Sequence, residues 1–448
     1  MTAPHQTRPL KVVFVGAHDS AGGAARAMTR IFNALWERQD ELGLDMSMRV
    51  IHQTLDHPAI IGGKGVRNRV EYARYFARTR FRKYFPRKKF RSPNTLLHSQ
   101  ALHHSGLGKE LAAMNADLYV LNWLGNGTLS IPEIGRLRKK VVWQLHDMWM
   151  FSGAEHYTDT NRAEKGYSRR SRPPTESGPD IDRETFLRKK RHWRSPMPVI
   201  VPSSWLASEA KKSTLTKNWP TVVQPYPLDT DFWAQTTKAE ARERFGLDPN
   251  AIVVLFGAAG GTQVPHKGAD LLFDALPTIT DTLTTTQFPQ PVTLAIFGEE
   301  SEPTTIGGIP VVFLGELDDE SLREAYSAAD ILVVPSRLEN FAQVALEGHS
   351  CGLPEVVFDG TGLTDVVDHG VTGFHADKNN PASLAHHVSK LIIDEQLRHR
   401  FSAAARQRAV SLWHPDAVAP KYADILHTIH RSHLRRTSPD FLKVTNHR

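Results

Sequence analysis

The sequence predicts two doubly wound α/β domains of about 200 residues each. Three observations lead there. The 448 residues exceed what a single core usually serves. Short apolar runs rich in β-branched and aromatic residues alternate with helical patterns in both halves, the rhythm of parallel sheets covered by helices. Between the halves, Gln224–Asp231 (QPYPLDTD) carries two prolines that break regular structure.

In the first half the strand-like runs are Lys11–Gly16, Asp117–Trp123, Lys140–His146 and Val199–Ser203, with a helical pattern over Gly23–Arg38. In the second half they are Ala251–Gly257, Val292–Gly298, Val311–Gly315, Ile331–Pro335 and Pro354–Asp359. Helical patterns cover Ser321–Ala329 and Gln343–Ser350. The expected domains are residues 1–222 and 223–412. Residues 413–448 are expected to form a terminal helix, packing back on the first domain, and a polar tail. Tyr167–Asp182, polar with three prolines and one glycine, reads as a mobile loop. In doubly wound sheets ligands bind outside the carboxyl ends of the strands, so the expected site is a cleft faced by both domains.

Composition narrows the class. With 40% hydrophobic and 23% charged residues the chain reads as soluble and globular. No apolar run approaches the roughly 20 residues that span a bilayer, and MTAPHQTRPLK lacks the apolar stretch of a signal peptide. Cys351, the only cysteine, allows neither an internal disulfide nor a thiolate metal cluster. A cytoplasmic location is expected.

The net charge of +7 is concentrated. Arg67–Arg91 holds 11 Lys or Arg residues and one acid, Glu71, so the rest of the chain is slightly acidic. Aromatics interleave with these cations, and on a helix Tyr72, Tyr75 and Phe76 share one face. A basic helix with an aromatic face suits an anionic membrane surface. Arg74, Arg78, Arg82, Lys83, Arg87, Lys88 and Lys89 are the candidate membrane or acceptor contacts. A face packed on the first domain with solvated cations is the plain alternative. A single-stranded nucleic-acid platform is disfavoured, and no nucleic-acid partner is expected.

The stretch with most chemistry is Pro335–Gly352, PSRLENFAQVALEGHSCG. It leaves a strand and opens a helix near Gln343, so amides around Asn340, Phe341, Ala342 and Gln343 offer a seat for a phosphate. Glu347 lies about one turn into that helix, and Glu339 eight residues earlier. Carboxylates accept well from vicinal hydroxyls, as on a ribose or hexose. Two of them flanking an anion seat fit a sugar joined to a nucleotide through pyrophosphate. His266-Lys267-Gly268, before the helical ADLLFDAL, adds a point charge at a helix N-terminus. Ser20–Arg26 (SAGGAAR) puts Gly22 and Gly23 where backbone approaches an anion closely. His146-Asp147 ends a strand.

These stretches, with LGELDDESLREAYSAADILVVPS, CGLP and GVTGFHADKNNPASLA, resemble glycosyltransferase family 4, the retaining GT-B enzymes. The resemblance runs through most of Ala251–Trp413. It implies a GT-B architecture and transfer of a sugar from a nucleotide-sugar, by a front-face route assisted by the leaving phosphate. Glu347 would hold the ribose and Glu339 the transferred sugar, with Phe341, Ala342 and Gln343 amides nearby. Lys267 would hold the donor phosphates, faced by the Gly22-Gly23 loop, and His146 the sugar hydroxyls. The arginine that usually accompanies the lysine is not evident in GAAGGTQVPHKG, which leaves His266 or a residue elsewhere as its substitute. DMWMFSGAEHYTDTNRAEKGY with FLRKKRHWR looks like a subgroup acting in bacterial surface-polysaccharide assembly, in which this loop often carries cysteines; here Glu155 and Asp159 lie in the vicinity instead. The implied acceptor is a glycan or lipid-linked glycan. Asp229-Thr230-Asp231 matches the segment after the linker and reads as structural, so no metal or other cofactor is expected. The rival readings are a nucleotide-sugar epimerase or hydrolase, and a degenerate GT-B scaffold at a membrane.

Overall fold

The computed structural model describes residues 8–63, 90–102, 104–125, 127–257 and 260–435. The chain divides into two units. One comprises Met1–Pro227 with Val418–Arg448, and the other Leu228–Ala417. The first division falls inside the proline-bearing Gln224–Asp231 segment; the second falls inside the last helix, Pro415–Arg435.

The first unit is built on a seven-stranded sheet of order β3-β2-β1-β4-β5-β6-β7. Its strands are β1 Leu10–His18, β2 Leu44–His52, β3 Ile60–Gly63, β4 Leu118–Leu121, β5 Val141–Gln144, β6 Val199–Val201 and β7 Thr221–Val223. All neighbours run parallel; Val12 pairs with Met46 on one side and with Leu118 on the other. Val12 to Val15 are fully buried because helices cover both faces of such a sheet. Each fully buried aliphatic side chain stabilises by about 1.5–3 kcal/mol. Such burial outweighs the weak strand preference of Asp45, Met46, Ser47 and Met48, which hid β2 from sequence reading. Helix Pro415–Arg435 packs on this unit, with Tyr422 donating to Gln144 Oε1 at 2.8 Å and lying 6.4 Å from the Phe14 ring.

The second unit repeats the plan in the order β10-β11-β9-β8-β12-β13-β14. Its strands are β8 Ile252–Gly257, β9 Val292–Phe297, β10 Thr304–Ile306, β11 Ile309–Gly315, β12 Ile331–Val334, β13 Glu355–Phe358 and β14 Gly373–Ala376. Only β10, a three-residue edge strand, runs antiparallel. With β7 and β14 it is too short or too Gly-rich to stand out as an apolar run. The helices start where capping chemistry allows. Asp318 accepts from Ser321 N before Asp319–Ala328, and Asn380 accepts from Ala382 N and Ser383 N before Pro381–Ile393.

Tyr167–Asp182, expected to be a mobile loop, is instead tied down. Arg162, 1% exposed, pairs with Asp180 at 2.6 Å, Glu176 at 3.3 Å and Asp182 at 3.6 Å. Tyr167 is fully buried and donates to Glu155. Beneath it Lys189, also fully buried, sits 4.0 Å from the Trp149 ring centroid and donates to the carbonyls of Trp149, Ser152 and Gly153. A buried arginine paired with three acidic side chains ties down a Pro-rich segment, which composition does not reveal.

Candidate functional site

In the second unit the strand order reverses between β8 and β12, the place where a doubly wound sheet opens a crevice. The segments leaving these two strands carry the candidate donor-binding residues. After β8 come two tight turns, Gly261–Gln263 and Pro265–Lys267, then helix Ala269–Thr285. After β12 comes Pro335–Ala342, then helix Gln343–Ser350.

These segments are fastened together. Arg337 N donates to His266 O at 2.8 Å, and its guanidinium reaches Pro265 O at 2.7 Å and both Asp270 oxygens at 2.7 and 2.6 Å. Gly268, at φ 76°, completes the contact; a Cβ there would lie 2.0 Å from Pro335 O, so no larger residue fits. The result places Lys267 Nζ 2.5 Å from Glu339 Oε2. Glu339 is 7% exposed and the Lys267 side chain 24%. Glu339 Oε1 also accepts from Asn340 N at 3.2 Å, while its carbonyl accepts from Gly362 N at 2.9 Å.

Helix Gln343–Ser350 begins at Ala342 without a side-chain cap. Its first-turn amides carry the partial positive charge of a helix N-terminus. Phe341 anchors the turn edge-on against Trp413, centroids 6.3 Å apart. Glu347, 1% exposed, accepts from Tyr326 OH at 3.0 Å. Burial, then the Glu347 charge, holds the Tyr326 hydroxyl well above its ordinary range, so it remains a donor. Sequence reading missed Tyr326 and Arg337, because contacts spanning 21 and 67 residues leave no local signal.

Among the described residues of this loop, none stands in for the arginine expected beside Lys267. Arg337 is committed to Asp270. Thr262 gives its N and Oγ1 to Glu299 Oε2, at 2.8 and 2.5 Å. His266 is pushed below the usual histidine range by burial and then by Lys267, so it is a neutral neighbour.

In the first unit the order reverses between β1 and β4. Gly22, at φ 85°, precedes helix Gly23–Trp36, which also starts without a side-chain cap. A Cβ built on Gly22 or Gly23 meets nothing within 4 Å. The preceding Asp19 is fully buried and accepts from Thr54 N, Thr54 Oγ1 and Leu55 N, fixing the turn.

His146 lies two residues beyond the end of β5 rather than within the strand. Its Nε2 meets Asn122 Oδ1 at 2.9 Å and its Nδ1 meets Tyr226 OH at 2.8 Å. Both ring nitrogens are thus engaged inside the protein, and in this arrangement neither is turned outward to a sugar. Burial pushes the ring down to about 4, against the pull of Asp147. Asp147 binds His156 Nδ1 at 2.5 Å and accepts from Trp149 N at 2.9 Å. Burial alone would raise its pKa, yet His156 and the amide outweigh it and hold the carboxyl below its ordinary value. His156 Nε2 meets Ser99 Oγ at 2.7 Å. A small cavity lined by Asn122, His146, Asp147 and His156 opens here.

Asp229 Oδ1 accepts from Asp231 N and Phe232 N, a self-contained turn. Among the described residues, Glu176, Asp180 and Asp182 are close enough to share a cation, but Arg162 already binds all three. The basic residues Arg74, Arg78, Arg82, Lys83, Arg87, Lys88 and Lys89 lie outside the described residues. No described helix is long and apolar enough to cross a membrane.

Residues 238–408, which include Lys267, Glu339 and Glu347, match the family described as glycosyl transferases group 1. A D-inositol 3-phosphate glycosyltransferase of Geodermatophilus obscurus is 32% identical over 200 residues, 42% of this chain and 43% of that protein. A GDP-mannose-dependent alpha-(1-6)-phosphatidylinositol monomannoside mannosyltransferase of Mycobacterium tuberculosis is 27% identical over 219 residues, 45% of this chain and 54% of that protein. The aligned region thus spans about half or less of these curated relatives. Among solved structures, the sucrose-phosphate synthase of Thermosynechococcus elongatus superposes with a TM-score of 0.63 at 18% identity, covering 94% of this chain and 100% of that one. Anabaena HepE in complex with UDP and glucose superposes with a TM-score of 0.58 at 16% identity, covering 94% and 100%. The chain therefore has the GT-B fold, and its residues 238–408 match the group 1 glycosyl transferases.

Proposed function

We propose that the protein is a retaining glycosyltransferase moving a sugar from a nucleotide-sugar to a glycan or lipid-linked glycan. The observation that carries this reading is the Lys267–Glu339 pair, held at the strand-order reversal beside an uncapped helix N-terminus that carries Glu347. Lys267 and the amides of Phe341, Ala342 and Gln343 suit a pyrophosphate. Glu347, oriented by Tyr326, suits the ribose diol, and Glu339 the hydroxyls of the sugar.

Charge develops on the departing pyrophosphate as the glycosidic bond breaks. Groups fixed in advance around that charge supply the main stabilisation of the transition state. With Lys267 and helix amides in that role, the reaction is read as metal-independent. The leaving phosphate itself takes the acceptor proton on the same face, which retains the configuration. His146 serves as a neutral, doubly bonded fixture of the first unit rather than a proton carrier.

A lipid-linked acceptor on the cytoplasmic face of the membrane is the proposed partner, and bacterial surface-polysaccharide assembly the proposed setting. The support is the basic Arg67–Arg91 segment and the phosphatidylinositol mannoside named for one relative. A second reading, a degenerate scaffold, draws on the Thr262–Glu299 pair in the lysine loop, where an arginine was expected.

The test is turnover of UDP-, GDP-, ADP- and dTDP-sugars with and without a lipid-linked glycan extract. Donor consumption that depends on acceptor and leaves the anomeric configuration unchanged supports transfer with retention. Equal consumption without acceptor points to a hydrolase, and none with any donor points to the scaffold.

A further inference from the structure

We propose that Glu339 is an internal competitor of the donor phosphates for Lys267, so that the site selects an intact nucleotide-sugar over a bare nucleoside diphosphate. The inference rests on the donor reading above and assigns Glu339 a second task within it.

The geometry is a contact ion pair. Glu339 Oε2 lies 2.5 Å from Lys267 Nζ, and Glu339 Oε1 takes the Asn340 amide at 3.2 Å. An ammonium neutralised at that distance is a weak anchor for a second anion, and a phosphate arriving beside it meets the like charge of the carboxylate. Lys267 therefore grips a phosphate fully only when Glu339 turns away.

Turning away has a cost that depends on the ligand. Glu339 is 7% exposed, which leaves little room for water to replace the lysine. A buried charge that loses its partner suffers its full desolvation penalty. In a nucleotide-sugar the hydroxyls of the sugar adjoin the phosphate and donate to the displaced carboxylate. A nucleoside diphosphate has no such donors, so Glu339 either keeps Lys267 or is stranded. A site built to bind a hydroxyl rejects the analogue that lacks it for this reason. The direction is fixed: Glu339 weakens the hold on the diphosphate more than the hold on the donor, which favours departure of the leaving group after transfer.

Calorimetric titration of the full chain with inorganic pyrophosphate, UDP, GDP and their hexose conjugates tests this in wild type, Glu339→Gln and Lys267→Ala. Glutamine keeps the shape and removes the charge. The expected result is roughly tenfold tighter binding of pyrophosphate and of the preferred diphosphate by Glu339→Gln, a smaller gain or a loss for the conjugate, and no binding by Lys267→Ala. Unchanged or weaker pyrophosphate binding by folded Glu339→Gln overturns the proposal. Tighter pyrophosphate without preference for any nucleotide or conjugate sinks the donor reading and leaves the competition standing. Should the variant misfold, carbon NMR of the Glu339 carboxyl in wild type decides. Saturating pyrophosphate should shift that resonance, and a fixed resonance overturns the displacement.

Discussion

At the end of β12, Lys267 and Glu339 share one ion pair between two loops, and the lysine side chain is 24% exposed. At the end of β5, His146 is held from both sides by Asn122 and Tyr226, and Asp147 from both sides by His156 and Trp149. Both clusters stand at carboxyl ends of parallel strands, where doubly wound folds place ligands. They differ in what a ligand can do there. A phosphate can replace one partner of the ion pair and leave the other a new role. A ligand entering the β5 network must break hydrogen bonds already made between buried groups, each of which costs when left unmet. Under the proposed function, recognition falls to the second unit's exchangeable pair, and the first unit's network holds shape.

The largest expected effect lies in the first unit. Arg162→Ala leaves Glu176, Asp180 and Asp182 without their cation in a site that already pushes Asp182 up to about 9 through burial and the Glu155 charge. A loss of about 3–5 kcal/mol is expected, read from the urea midpoint. A loss under about 1 kcal/mol would remove Arg162 from the account of that loop.

Lys267→Ala should lower kcat/KM for the donor by about a hundredfold or more while the urea midpoint stays near wild type. If the midpoint falls and turnover does not, the ion pair is a structural fixture like the β5 network, and the contrast between the units collapses.

His146 sharpens the comparison through pH. Its ordinary value is 6.5 and burial holds it at about 4. Between those values the unfolded chain binds the extra proton, so this contribution to stability is full above about 6.5 and is lost as pH falls toward about 4. From about pH 7 to pH 5 the loss amounts to about 2 kcal/mol. His146→Gln, which can still bond Asn122 and Tyr226, should lose that much less over the same range in urea unfolding. Equal losses in both proteins would mean that His146 titrates as an ordinary histidine.

Smallest is Tyr326→Phe. Removing the hydroxyl that orients Glu347 should raise donor KM by about tenfold with kcat near wild type. An unchanged KM would assign Tyr326 to packing alone.

Much of the second unit was legible because each signal there is local. Helix Gln343–Ser350 falls where its sequence pattern puts it, and Lys267 and Glu339 each lie in the segment leaving a strand end. That the two would touch across 72 residues follows only from the sheet order. The first unit was less legible. The first half of strand β2 carries Asp45, Met46, Ser47 and Met48 after Leu44, none of them β-branched, and is made a strand by its buried position beside β1. Tyr226 sits in a proline-flanked turn, and nothing local announces that its hydroxyl closes on His146, 80 residues earlier. Arg162 gives order to Tyr167–Asp182 through carboxylates up to 20 residues away, against that segment's own composition.

The most direct test of the donor reading is binding itself, by ligand-detected NMR with UDP-, GDP-, ADP- and dTDP-sugars against wild type, Lys267→Ala and Glu347→Ala. The account predicts that one nucleotide class binds wild type and that both substitutions abolish the signal in folded protein. Binding that survives both substitutions, or no binding of any donor to folded wild type with and without anionic vesicles, would contradict it.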